Sequence, residues 1–293
     1  MGSGAPDHPS IGFSYNGRDP ALLERVLPHV EVIEINPDDL TIPSIDGSTV
    51  RLDPDVLAHL ADVAGDARVV AHGVTLSIGT YEGMSDTYLH LLDELFTAVD
   101  VAWHSEHLAY TRAAGIVLGN FLDLPRTGEA LDLIAGRIAL IRARYGRPFL
   151  LENIARLLPD PGGDHSYAGF LDAVAAAGGG GVLLDVHNLQ CDEANLGLDI
   201  DAALGAPDPT RIGEIHVSAG RWHGPYRMDL HVGLVEPTTV ALARRAHERA
   251  PSATVTFEVV PQAVARVGAD AIVDQLRALR AALTVPVAAG RPG

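Results

Sequence analysis

Short apolar runs of six to nine residues recur along the chain, separated by longer stretches in which apolar positions return every three or four residues. The short runs are "IGFSYN" (11–16), "VEVIEIN" (30–36), "ARVVAHG" (67–73), "DVAWHSEHL" (100–108), "PFLLEN" (148–153), "GVLLDVHN" (181–188), "IGEIHVSA" (212–219) and "ATVTFEVV" (253–260). Their length and β-branched content predict strands. The spaced stretches predict amphipathic helices. In 85–99, Leu89, Leu92, Leu95, Phe96 and Val99 form one stripe behind a Ser85 or Asp86 cap. In 127–146, Thr127 is the expected N-cap and Gly146 the stop, and 269–283 presents Ile272, Leu276, Leu279 and Leu283 on one face. "DPALLERVL" (19–27) is short but has an Asp-Pro start, and "AAAGGGG" (175–181) reads as a helix end and turn.

Seven of the eight strands are followed by a helical stretch. Strict β-then-α alternation predicts parallel strands joined by crossover helices. Eight such units fit an α/β fold of the (β/α)8 TIM-barrel type, as one domain over 11–284 with flexible tails at 1–10 and 285–293. No GxGxxG follows the first strand, which weakens a dinucleotide-binding alternative.

The polar residues give the barrel a chemistry. In such a fold the active site lies at the C-terminal rim of the strands. Glu34 and Asn36 end the second strand and His72 the third. His104, Glu106 and His107 lie on the fourth, and Glu152 and Asn153 on the fifth. The sixth carries Asp185, His187 and Asn188, the seventh Glu214 and His216, and the eighth Glu258, while the loop "DLH" adds Asp229 and His231. Residues two apart share a strand face, so Asp185 with His187, Glu214 with His216, and His104 with Glu106 are expected to point at the barrel axis. Burying so many carboxylates together is very costly without cations. Oxygen and nitrogen donors without thiolates suit iron, manganese or zinc. There are more of them than one ion can use, so two or three metals sharing bridging carboxylates are expected. His29, His59, His90 and His247 fall in or beside helical stretches, and they are given structural roles with His8 and His165.

Composition narrows the setting. The formal charge of −17 argues against general nucleic-acid binding. No run of about 18 apolar residues predicts a membrane span. "MGSGAPDHPS" lacks the basic and apolar regions of a secretory signal. The single Cys191 excludes an internal disulfide framework, fits a reducing cytoplasm, and is expected to be a bystander thiol.

"AHGVTLSIG", "SEHLAY", "LLENIARLL", "LLDVHN", "EIHVSAG", "DLHVG" and the late strand glutamate resemble, in order and spacing, the multinuclear non-haem iron-dependent oxidative enzymes, over roughly residues 11 to 262. The resemblance implies a TIM barrel with two or three irons, mixed Fe(II)/Fe(III), at its mouth and dioxygen as cosubstrate. It also implies a ribosomally made precursor peptide as substrate, modified often at cysteine, and a separate partner protein that presents the leader. Carried over, it implies His72, His107, Glu152, Asp185, His216, Asp229, His231 and Glu258 as iron ligands, with Asn188 as a further one. Glu34, Asn36, His104, Glu106, Asn153, His187 and Glu214 are candidates for the same shell or the one behind it. Tyr15, Tyr110, Trp222 and His223 are candidates to line a substrate channel, with packing as the competing role. Glu106 stands where the family usually has an aspartate, and the loop before Asp229 departs from the family's usual glycine-and-histidine version.

The competing enzyme reading is a non-redox barrel metalloenzyme, either a sugar isomerase or a multi-zinc phosphodiesterase. The isomerase lacks a lysine at any strand end, and the phosphodiesterase sits badly with the acidic balance. A scaffold that binds metal only for stability would close its coordination shell, which an open rim does not do.

Overall fold

The computed structural model describes residues 8–44, 49–63 and 66–284. In chain order the first half runs β1 (Ile11–Ser14), α1 (Pro20–Val26), β2 (Val32–Ile35), β3 (Thr41–Pro43), β4 (Val50–Leu52), α2 (Pro54–Val63), β5 (Arg68–Gly73), α3 (Asp86–Ala98), β6 (Val101–His107), β7 (Tyr110–Ala113), β8 (Ile116–Leu122) and α4 (Gly128–Tyr145). The second half runs β9 (Phe149–Glu152), α5 (Tyr167–Gly178), β10 (Gly181–Asp185), α6 (Val186–Leu196), α7 (Ile200–Gly205), β11 (Ile212–Val217), β12 (Arg221–His223), β13 (Tyr226–Met228), α8 (Pro237–Arg249), β14 (Thr254–Phe257), α9 (Pro261–Val267) and α10 (Ala269–Thr284).

Eight strands close into a barrel in the order β1-β14-β11-β10-β9-β6-β5-β2, every neighbour parallel, so the expected (β/α)8 fold is present. One face of each strand packs under the helices. Ile33, Ile35, Leu184, Ile215, Val217 and Phe257 belong to that shared core, together with Leu92, Leu95, Ile134, Ile138 and Leu276 from the helices. Val32, Val70, Leu150 and Leu183 are buried but stand outside that cluster and fill the barrel interior. Gly12 is required there, because a Cβ would collide with the Thr256 hydroxyl.

The helix signals act where expected. Ser85 caps α3 and Thr127 caps α4 with their side-chain oxygens, and Gly146 ends α4 in the left-handed region at φ 65°.

Three expectations need correction, and one feature is new. The run 181–188 is not one strand: β10 stops at Asp185, whose Oδ1 accepts the Asn188 N–H at 2.6 Å and starts α6. His187 therefore lies on a helix and does not share a strand face with Asp185. On the fourth barrel strand, Val69 pairs with Val101 but Ala71 pairs with His104, so β6 carries one extra residue. That bulge turns Trp103, Ser105 and His107 to the axis, and His104 and Glu106 to the helices. Three two-stranded hairpins, β3–β4, β7–β8 and β12–β13, stand on the loops after barrel strands and were not foreseen. Finally, Ser10 is buried and its Oγ lies 3.0 Å from Thr254 Oγ1, so it belongs to the barrel rather than to a tail. Residues 1–7 and 285–293 of the expected tails lie outside the described residues. Among the described residues no helix is long and apolar enough to cross a membrane.

Candidate metal centre

Glu152 ends β9, between β6 and β10 in the barrel. Its Oε2 lies 3.0 Å from His72 Nε2 and 3.1 Å from His107 Nε2. Both rings are held from behind: His72 Nδ1 lies 2.9 Å from Ser105 Oγ, and His107 Nδ1 donates to the Gly73 carbonyl at 3.0 Å. Each imidazole thus turns its other nitrogen to the carboxylate. Burial pushes the His72 pKa down, but the Glu152 charge, the hydrogen bond to it and the Glu34 charge together outweigh burial and carry the value up to about 9.

The other Glu152 oxygen opens onto a second group. His216 Nδ1 lies 3.5 Å from Glu152 Oε1 and 3.0 Å from Glu258 Oε2, and Asp185 completes the set. Burial and then the neighbouring Asp229, Glu152 and Glu258 charges hold the Asp185 carboxyl well above its ordinary range. Among the described residues, Asp185 Oδ2 is buried without a hydrogen-bond partner, and Glu152 Oε2, His216 Nδ1 and Glu258 Oε2 are buried where they meet only other candidate ligand atoms. Such atoms normally find a partner, so their convergence is what a cation's donor set looks like with the protein alone. One ligand atom each from His72, His107 and Glu152 lie within 4.8 Å of one another, as do those of Glu152, Asp185, His216 and Glu258. The two groups share Glu152, and the residues present fit metal cations.

At the rim, His231 Nε2 lies 2.8 Å from Asp229 Oδ2 and 3.6 Å from Glu258 Oε2. Asp229 Oδ1 accepts the Ser218 hydroxyl at 2.9 Å. His231 holds φ at 53°, a left-handed conformation that costs energy for a non-glycine residue and is often found at functional sites. Burial opposes its protonation, but Asp229 and Glu258 raise its pKa well above the usual histidine range. His187 is fully buried under Gly220, its Nε2 4.0 Å from Asp229 Oδ1.

The remaining candidates divide. Glu34 and Glu214 reach the underside of His216, at 2.9 Å and 3.7 Å from Nε2. Asn153 is a clamp: its Oδ1 accepts the Asp185 N–H and its Nδ2 donates to the Asp185 carbonyl, both at 2.9 Å. That leaves it unfit as a ligand. Asn188 donates from Nδ2 to the Asn153 carbonyl at 3.0 Å and keeps Oδ1 free for the site. Glu106 accepts the Leu76 N–H at 3.0 Å and the His107 N–H at 2.9 Å, so it organises the loop after β5 rather than facing the axis. His104 is enclosed by Tyr88, Phe96 and Phe149 outside the barrel, where burial lowers its pKa to about 3. Asn36 caps the 3-10 turn Pro37–Leu40 and borders the cavity.

A cavity of about 350 Å³ lies above these groups, walled by Tyr15, Asn16, Val74, Phe121, Leu230 and Val260 with His72, His107, Asp229 and His231. Of the channel candidates only Tyr15 lines it. Tyr110 borders a separate groove, and Trp222 and His223 stand exposed on the β12–β13 hairpin. Three contributors were missed. Phe121 stacks on His107 with centroids 3.9 Å apart, Ser105 backs His72, and Trp103 Nε1 donates to Glu214 Oε2 at 2.7 Å. For Ser105 and Trp103 the alternation of β6 held a signal, hidden by the bulge. For Phe121 none was available.

The barrel resembles solved structures of sugar-converting enzymes. A xylose isomerase domain containing protein from Salmonella typhimurium LT2 superposes with a TM-score of 0.62 at 16% identity, over 97% of this chain and 100% of that one. D-psicose 3-epimerase from Clostridium cellulolyticum H10 gives 0.56 at 14% identity, over 94% and 96%. At such identities the likeness is one of fold. Residues 18–265 match the family described as RiPP precursor modification enzyme MbnB/TglH/ChrH, and the chain belongs to that family. Relatives include a UPF0276 protein of Anaeromyxobacter sp. (strain Fw109-5), 37% identical over 60% of this chain and 62% of its own length. Another, from Caulobacter vibrioides (strain NA1000 / CB15N), is 32% identical over 72% and 71%. The chain matches only about six tenths of the length of the first of these relatives.

Proposed function

We propose that this chain is a multinuclear non-haem iron oxidase. It uses dioxygen to modify a residue, cysteine foremost, of a ribosomally made precursor peptide presented by a separate leader-binding protein. The observation that carries the reading is Glu152, which serves His72 and His107 with one oxygen and the His216 group with the other. A carboxylate so placed suits a bridge between two cations. The holding residues are His72, His107, Glu152, Asp185, Asn188, His216, Asp229, His231 and Glu258. When bound, two or three irons in mixed Fe(II)/Fe(III) states supply the redox electrons and the Lewis acidity that activates a thiol and dioxygen.

The chain's own residues do the rest. The cavity of about 350 Å³ above the site leaves room for a side chain of a peptide beside the donor groups. Phe121 covers the face of His107 and shields it from water. His231 Nε2 lies against Asp229 Oδ2 beside the cavity, so the two side chains are placed to hold a cation on the substrate's side of the site. The one cysteine, free and buried in α6, supports a reducing, cytoplasmic setting.

Elemental analysis and Mössbauer spectroscopy of anaerobically purified protein test the reading. Two or more irons per chain are expected. Stoichiometric zinc with no iron uptake would overturn it in favour of a hydrolase or isomerase.

A further inference from the structure

The three imidazoles of the two donor groups are backed unequally. Behind His72 stands the Ser105 hydroxyl, 2.9 Å from Nδ1. Behind His107 stands the Gly73 carbonyl at 3.0 Å, with Glu106 Oε1 farther off at 3.4 Å and already accepting the His107 backbone N–H. For His216 the nearest backing group is a carboxylate, Glu34 Oε2, 2.9 Å from Nε2. The donor charges follow the same division: the His72 and His107 group holds one carboxylate, Glu152, whereas the His216 group holds Glu152, Asp185 and Glu258.

Glu34, Glu214 and His216 are close enough to suggest a cation position of their own. The contacts oppose it. Glu214 accepts from Trp103 Nε1 with Oε2 and from the Thr256 hydroxyl with Oε1, so both its oxygens are engaged. The trio is a floor rather than a ligand set.

We propose that Glu34 is a positioning residue. It holds His216 with Nε2–H toward the barrel floor and Nδ1 toward Glu152 and Glu258, and it makes the His216 position the one that takes the more highly charged cation. The proposal rests on the metal-centre reading. A hydrogen bond from a metal-binding imidazole to a carboxylate fixes the tautomer and increases the donor strength of the other nitrogen. Added to three carboxylates, that favours a trivalent ion over a divalent one, while two imidazoles with neutral nearest partners favour the reverse.

Redox-inert probes separate charge from chemistry. The metal-free chain is titrated with Zn2+ and with citrate-buffered Ga3+. The native chain is expected to bind zinc in two classes and to exchange one of them for gallium. E34Q is expected to bind gallium about 10–100-fold more weakly with zinc at the other position unchanged, and S105A to show the reverse. Gallium binding by E34Q equal to that of the native chain overturns the proposal. Should E34Q fail to fold, 15N NMR of histidine-labelled, zinc-loaded native protein decides: Nδ1 ligation with Nε2–H is expected for His216, and Nε2 ligation overturns the assignment. A native chain that binds neither cation sinks the metal-centre reading, and this proposal with it.

Discussion

Glu152 reaches His216 past the end of β10, Oε1 to Nδ1 at 3.5 Å, although the two lie on strands that do not pair with one another. Its other oxygen is turned to His72 and His107. One side chain therefore joins both donor groups, and its removal should affect both. Glu152→Gln is expected to lose about half or more of the bound iron, measured by elemental analysis on folded protein. It also removes the charge that opposes burial at His72, so the His72 pKa should fall below about 9, read by NMR titration of the metal-free chain. Full iron occupancy in the variant would show that Glu152 is not the link.

Phe121 reaches the site from β8, a strand whose first five residues are exposed. Its stack on His107 is worth roughly 0.5–1.5 kcal/mol beyond area burial. Phe121→Ala should lower stability by about that amount plus a modest burial loss, seen as an earlier urea midpoint with an unchanged slope. Because Phe121 contributes no ligand atom, iron content should stay at the native level. Iron loss would mean that the ring is needed to hold His107 in place.

His104 predicts a pH dependence. Burial among Tyr88, Phe96 and Phe149 lowers its pKa from 6.5 to about 3 in the folded chain. Between those values the unfolded chain binds the extra proton, so stability is unaffected above about pH 6.5 and declines as pH falls toward 3. The full span is on the order of 4–5 kcal/mol. His104→Leu should flatten the fall of unfolding free energy from pH 6.5 to 4 in denaturant titrations. An unchanged slope would assign the acid sensitivity to other groups.

The barrel and the ring of donors were legible because both depend on local pattern. Apolar runs alternate with spaced helices, and His72, His107, Glu152, His216 and Glu258 each end a run or lie just beyond one. What pattern could not supply was the phase of β6. One extra residue between Val101 and His104 reverses the faces after it, so His104 and Glu106 leave the axis, and Ser105 and Trp103 take their place. A bulge is set by pairing with β5, which no single strand records. Asp185 posed a similar problem, because a strand residue two before His187 and the N-cap of a helix look alike until Asn188 N–H is seen to bond it. Phe121 was invisible for a third reason: its hairpin is short and exposed, without the buried alternation that marks a strand.

Metal should stabilise this chain by more than its direct bonds suggest. In the protein alone, burial and neighbouring charges hold the Asp185 carboxyl well above its ordinary pKa, and burial raises that of Glu34. Both groups are thus strained toward protonation in a place where a cation would favour the charged form. Binding draws the folded state down by RT ln(1 + [L]/Kd), about 2.7 kcal/mol at a hundredfold excess over Kd. For a chain of 293 residues that corresponds to a rise in Tm of roughly 4–5 °C. Anaerobic Fe2+ added to metal-free protein should give that rise in a scanning unfolding experiment, and a chelator should reverse it. The rise should shrink as the buffer is taken to lower pH, because protons compete for the same carboxylates and imidazoles. A melting temperature indifferent to Fe2+ and chelator at neutral pH would show that these buried donors hold no ion.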